Sequence, residues 1–236
     1  MPNHVTSRLN VSGDKEKVKE LFEAINGGVD EEGNPVLIDF NKIIPMPEEL
    51  NIPASSDYEK GYAVYLALEQ GDYRKIDPML TYPWAQKEAI QTRKQMVGHL
   101  IQNDPEAFTK GKQYFDNIQN HGVPTWYEWC NKNWGTKWPA YCQTQINSNT
   151  IEFQTAWAGV PELLRTLSEK FPEVTLEYEF ADEDYGHNVG EYTFKVGDIE
   201  NENLPDDGSP EALKIAAWIL DEHEYEAAED EEDNEI

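Results

Sequence analysis

Trp126, Trp129, Trp134 and Trp138 place four of the seven tryptophans within thirteen residues, interleaved with Lys132 and Lys137. Exposed aromatic rings beside lysines can stack on a base while an ammonium meets a phosphate. The proline-rich stretch at residues 41–50 could turn Asn41 and Lys42 towards the same groove. The candidate ligand-binding set is therefore Asn41, Lys42, Asn133, Trp134, Lys137, Trp138 and Trp157. The competing reading is plainer, because clustered aromatics usually supply core area. It makes Trp126, Trp129 and Cys130 one buried helix face. Asn133, Gly135 and Thr136 then form the turn into a sheet, and Trp138 covers its edge.

Other chemistry is thinner. Cys130 and Cys142 are twelve apart, far from a paired-cysteine knuckle, and His4, His99, His121, His187 and His223 sit in no zinc-binding context. No phosphate-cradling glycine loop or nucleophile elbow occurs. Asp182, Glu183, Asp184 and His187 could hold Ca²⁺ or Mg²⁺, but read more simply as a polar hairpin loop. No catalytic residue, metal or cofactor is assigned, and binding is favoured over catalysis.

Charge gives the firmest exclusion. The 236 residues carry 46 acids and 19 bases, a net charge of −27. Residues 177–236 hold 22 of the acids, with Lys195 and Lys214 as the bases, a net of −20; residues 1–176 carry −7. A broad basic footprint for nucleic acid is excluded, since phosphate contacts need Lys and Arg. The acidic segment offers Glu177, Glu179, Asp182, Glu183, Asp184, Asp221, Glu222, Glu224 and Glu226 as a surface attracting a basic partner. Its alternative role is a solubilising tail, because residues 221–236 contain ten acids and no base.

The elements that position these groups follow from periodicity. Val5, Leu9 and Val11 share a face at period two, predicting a strand; Val18, Leu21, Phe22 and Ile25 predict a helix, and residues 36–40 a second strand. Residues 57–120 turn helical, with Tyr58, Tyr62, Tyr65 and Leu66 on one stripe and Ile90, Val97 and Ile101 on another. Asp104-Pro105 predicts the start of a third helix, and Thr125 with Glu128 a capping box. Ile151, Phe153, Thr155 and Trp157 then alternate as the second arm of a hairpin. A helix carries Leu163, Leu164 and Leu167. Val174 to Phe180 and Tyr192 to Val196 alternate as two further strands. Ser209-Pro210 opens a last helix with Leu213, Ala216, Ala217 and Leu220 on its stripe. The expected class is α+β: an antiparallel sheet with helices on one face, a helical insertion in the middle and an acidic C-terminal helix and tail. The expected divisions are 1–56 and 125–200 for the core, 57–124 for the insertion and 201–236 for the acidic segment.

Four stretches together carry a family resemblance. Residues 3–13 (NHVTSRLNVSG), 40–50 (FNKIIPMPEEL), 129–138 (WCNKNWGTKW) and 153–157 (FQTAW) resemble, in the same order, motifs of the YubB-type family of plasmid- and phage-encoded proteins. The resemblance implies a ferredoxin-like fold and a mobile-element setting, with no reaction or catalytic residue to carry over. His4 stands where the family pattern leads one to expect an aromatic, and the chain from about residue 198 lies outside the resemblance. No apolar run is long enough for a membrane span, and the first residues lack the basic and apolar regions of a signal peptide. The cytoplasm of a host cell is the expected compartment. The expected role is a non-enzymatic binding protein that contacts a host protein, such as a defence or nucleic-acid-handling factor, through its acidic surface. The alternative is a nucleotide-binding or sequestering module built on the Trp/Lys-rich motif. Self-association is compatible with an exposed ferredoxin-like sheet.

Overall fold

The structure, a computed structural model, describes residues 3–220. The described residues divide into two compact bodies, one from residues 3–45 and 130–220, the other from residues 46–129. In chain order, β1 (His4–Ser12) leads into α1 (Lys15–Ile25), where the Asp14 carboxylate accepts from the Glu16 N–H as N-cap. A short ribbon of β2 (Gly28–Val29) and β3 (Pro35–Val36) precedes α2 (Phe40–Ile43). The second body holds α3 (Ser56–Tyr65), α4 (Pro83–Lys87), α5 (Arg93–Asn103) and α6 (Ala107–His121), and α7 (Trp126–Asn133) straddles the division. The rest of the first body is β4 (Tyr141–Asn147), β5 (Thr150–Ala156), α8 (Pro161–Lys170), β6 (Thr175–Asp182), β7 (Gly190–Lys195), β8 (Asp198–Asn203) and α9 (Pro210–Leu220).

The strands form one antiparallel sheet in the order β4-β5-β1-β6-β7-β8. Its first four strands, with α1 following β1 and α8 joining β5 to β6, make the split βαββαβ arrangement of a ferredoxin-like domain. β7 and β8 extend that core by hairpins. Register sorts the side chains (Val5, Ser7, Leu9 and Val11 of β1 align with Thr155, Phe153 and Ile151 of β5 and with Asp182, Phe180, Tyr178 and Leu176 of β6). This inner face continues into Tyr192 and Phe194, whose rings stack 5.3 Å apart, and Tyr192 stacks on Phe180 at 6.5 Å. Within it the Val160 N–H donates to the Tyr178 hydroxyl at 2.9 Å, and Tyr178 bonds Ser7 at 2.9 Å, so the first turn of α8 is fixed to the sheet. Burial pushes the Tyr178 phenol well above its usual range.

Several local expectations change. Residues 36–40 do not form a strand of the main sheet: the Asp39 carboxylate accepts from the Asn41 N–H and starts α2, which buries Phe40 against Phe153. α2 and α8 cover the inner face, but α9 takes the opposite one, where its Trp218 lies over Arg8 of β1. Helices therefore occupy both faces. The stripe of α9 is Ala212, Ile215, Ala216 and Ile219, while Leu213 is 41% exposed; the expected stripe was out of phase. Val196 has left the inner face at a left-handed turn (φ 53°), which leads into β8, a strand not expected because Asp-Ile-Glu-Asn-Glu-Asn has no apolar alternation.

In the helical body, α3 and α6 meet at Gly61 and Gly111. A Cβ added at Gly111 would lie 2.0 Å from the Gly61 carbonyl oxygen, so the two backbones approach as only glycine permits. The tyrosine stripe of α3 flanks this contact, with Tyr62 on Tyr114 and Tyr65 on Phe108 and Phe115. Asp104 begins the turn before α6 rather than capping it, since Glu106 holds the cap position. Among the described residues no helix is long and apolar enough to cross a membrane.

Candidate functional site

The alternation that sends aromatic residues to the inner face sends polar ones to the outer face. Register aligns Thr144 of β4, Glu152 of β5, Arg8 of β1, Glu179 of β6, Glu191 of β7 and Asn203 of β8 into one row spanning the six strands. Beside it runs a second row through Thr150, Asn10, Glu177 and Thr193. Arg8 is 9% exposed, and its guanidinium reaches the Glu152 carboxylate at 3.2 Å. Trp218 stands over this row from α9, with its indole N–H donating to Glu179 at 3.0 Å and its ring 5.5 Å from the Arg8 guanidinium. Asn203 donates to Glu191 at 2.8 Å and to Glu211 at 3.1 Å, closing the row at the β8 edge.

Burial raises the Glu179 carboxyl above its ordinary range; Glu191 and Glu177 add to the rise, while the Trp218 hydrogen bond and Arg8 oppose it. Two hollows open beside Trp218. One, of about 410 Å³, is lined by Arg8, Asn10, Ile146, Glu177 and Glu179, and the other, of about 270 Å³, by Glu191, Glu211 and Lys214. The floor carries more carboxylates than cations, and Trp218 is 52% exposed. An aromatic ring beside partly desolvated carboxylates suits a lysine or arginine side chain.

The expected ligand-binding residues separate. Trp134 is 2% exposed; its indole N–H donates to the Ile44 carbonyl at 2.9 Å and its ring meets Phe40 edge-on, so it is a core residue with no face for a ligand. Trp129 and Cys130 are buried too, and burial pushes the Cys130 thiol up to about 11. Asn133 is half-buried at the end of α7, and Asn41 and Lys42 are exposed on α2. Lys137, Trp138 and Trp157 are brought together, with the ammonium 3.7 Å from the Trp138 centroid and 5.9 Å from that of Trp157.

Trp157 is not on the strand face predicted for it. It follows the end of β5 in a left-handed conformation (φ 73°) and is 52% exposed. Its N–H donates to the Asn3 carbonyl at 3.0 Å, and its carbonyl accepts from the Asn188 side chain at 3.1 Å.

Of the expected acidic surface, Glu177 is exposed and accepts from Asn10, and Glu179 belongs to the outer row. Asp182 is a correction: at 4% exposure it accepts from Asn3, Asn188 and the Asp184 N–H, so it organises the loop and faces no partner. Glu183 and Asp184 are exposed in that loop. Among the described residues no group of three or more His, Cys, Asp or Glu is placed to hold a metal. Asp221, Glu222, Glu224 and Glu226 lie outside the described residues. Sequence reasoning missed Arg8, Glu152, Glu191 and Trp218. The period-two pattern could have put the first three on the polar face, but only the register aligns them.

Residues 134–236 match the family model described as the ferredoxin-like domain in Api92-like protein. The matched range excludes β1, the strand between β5 and β6, so residues 4–12 complete that domain's sheet. The crystal structure of a protein api92 from Yersinia pseudotuberculosis is similar at 13% identity and a TM-score of 0.43, covering 89% of this chain and 100% of that one. No curated protein matches the chain.

Proposed function

We propose that this chain is a non-enzymatic binding module that engages a basic segment of a partner protein on the outer face of its ferredoxin-like sheet. The observation that supports it is the exposed Trp218 beside the half-buried Glu179 and Glu191 and the exposed Glu177, on a row whose centre is the buried Arg8–Glu152 pair. An interface anchor of this kind pairs an aromatic ring with desolvated charge at its centre. The net charge of −27 adds long-range attraction and speeds encounter with a cationic partner. The four YubB-type motifs support the finer part of the reading, a plasmid- or phage-encoded protein acting in the host cytoplasm on a host factor. A nucleotide at the central motif is the weaker reading, because Trp134 is in the core and the Lys137 ammonium already lies on the Trp138 ring.

The test is a titration with an arginine-rich peptide at two salt concentrations. Binding that weakens with salt, survives deletion of residues 221–236 and is lost in Glu177→Gln/Glu191→Gln/Trp218→Ala supports the sheet face. Binding that needs residues 221–236 and ignores the triple substitution overturns it in favour of the tail.

A further inference from the structure

A cleft of about 510 Å³ lies within the helical body, in the size range of small-molecule sites. Trp84 of α4 and His99 of α5 form one wall, their rings stacked with centroids 5.3 Å apart and planes 26° from parallel. The imidazole is fixed on both sides: Nδ1 lies 3.1 Å from the Glu88 carboxylate, and Nε2 lies 2.9 Å from the Asn103 side-chain nitrogen. With a polar partner at each ring nitrogen, the imidazole is held in one orientation. A flat wall set in advance spares a ligand the cost of ordering it.

The remaining walls carry charge that cancels. Lys110 bonds Asp104 at 2.8 Å in a half-buried pair, and Lys60 meets Asp57 at 3.4 Å near the rim. Leu100 and Ala107 supply apolar surface between them. A phosphate entering here would have to take an ammonium from its aspartate and face both carboxylates. A hydrocarbon ring would strip water from these ion pairs and give no polar contact in return.

We infer that this cleft binds an uncharged, hydrogen-bonding heteroaromatic of nucleoside size, stacked against the Trp84–His99 wall with its polar edge towards Asn103. This site lies in the helical body and is independent of the outer sheet face. Calorimetric titration of the full chain with adenosine, guanosine, cytidine, uridine and thymidine tests it, with adenosine 5′-monophosphate as the charged arm. One nucleoside binds at one per chain, and Trp84→Ala weakens it about tenfold or more, the loss expected of one base stack. Asn103→Ala, at an exposed position, weakens the same nucleoside with thermal unfolding unchanged. Three results overturn the inference: no binding of any nucleoside at millimolar concentration, binding that both substitutions leave intact, or tighter binding of the monophosphate than of adenosine.

Discussion

The two faces of the sheet are built from alternate residues of the same strands, yet their chemistry is opposite. Inward, Phe153, Leu9, Tyr178 and Tyr192 meet α2 and α8 and exclude water. Outward, Glu152, Arg8, Glu179 and Glu191 lie one residue away along each strand; Arg8 and Glu152 are buried as a pair, while Glu179 and Glu191 are covered only in part. The inner face gains stability from area and packing. The outer face gathers charge at some cost to stability, since partly buried carboxylates are poorly hydrated. The lesson is a division of labour, with stability placed inward and recognition outward.

The largest expected effect tests the inner face. Phe153→Ala removes a fully buried ring and should cost about 3–5 kcal/mol, read as a lower urea midpoint. Next comes the outer ion pair. Glu152→Ala takes the carboxylate from a buried guanidinium and should cost about 3 kcal/mol, whereas Arg8→Met with Glu152→Leu should recover most of that loss. A double variant as unstable as the single would break the comparison, because the outer charges would then be stabilising in themselves. Tyr178→Phe keeps the inner ring but removes the hydroxyl shared by Ser7 and Val160, a loss of about 1–2 kcal/mol in chemical denaturation.

The smallest effect is the most diagnostic. The folded-state pKa of Glu179 is raised, chiefly by burial, so folding favours its protonated form. Its destabilising effect is absent below the unfolded pKa and complete above the folded one. Glu179→Gln, which keeps an acceptor for Trp218, should therefore raise Tm near pH 7 and leave it unchanged near pH 3. Equal shifts at both pH values would show that ionisation at the outer face costs nothing.

The inner face was largely legible in the sequence. Val5, Leu9 and Val11, then Leu176, Tyr178 and Phe180, announce their strands because burial on one side imposes period two. The acidic β8 carried no such signal: it gains its place by backbone pairing with β7, which no side-chain pattern records. The phase of α9 was missed because residues 212–220 are apolar nearly all round, and contact with β6 selects which stripe is buried. Of the helix face expected at Trp126, Trp129 and Cys130, the last two are buried and Trp126 is half-buried. Trp134 was ambiguous because a tryptophan beside lysines looks alike in a core and in a pocket.

By itself, then, the amino-acid order determined the α+β class, the alternation of the strands and the acidic imbalance, all of which depend on near neighbours or on composition. Tertiary structure alone decided that Arg8 stands between Glu152 and Glu179, that Trp218 covers them, and that Trp84, His99 and Lys110 face one cleft. Those juxtapositions join residues up to 210 positions apart. They depend on register and on helix placement, which are set by the packing of the whole body and by no local spacing.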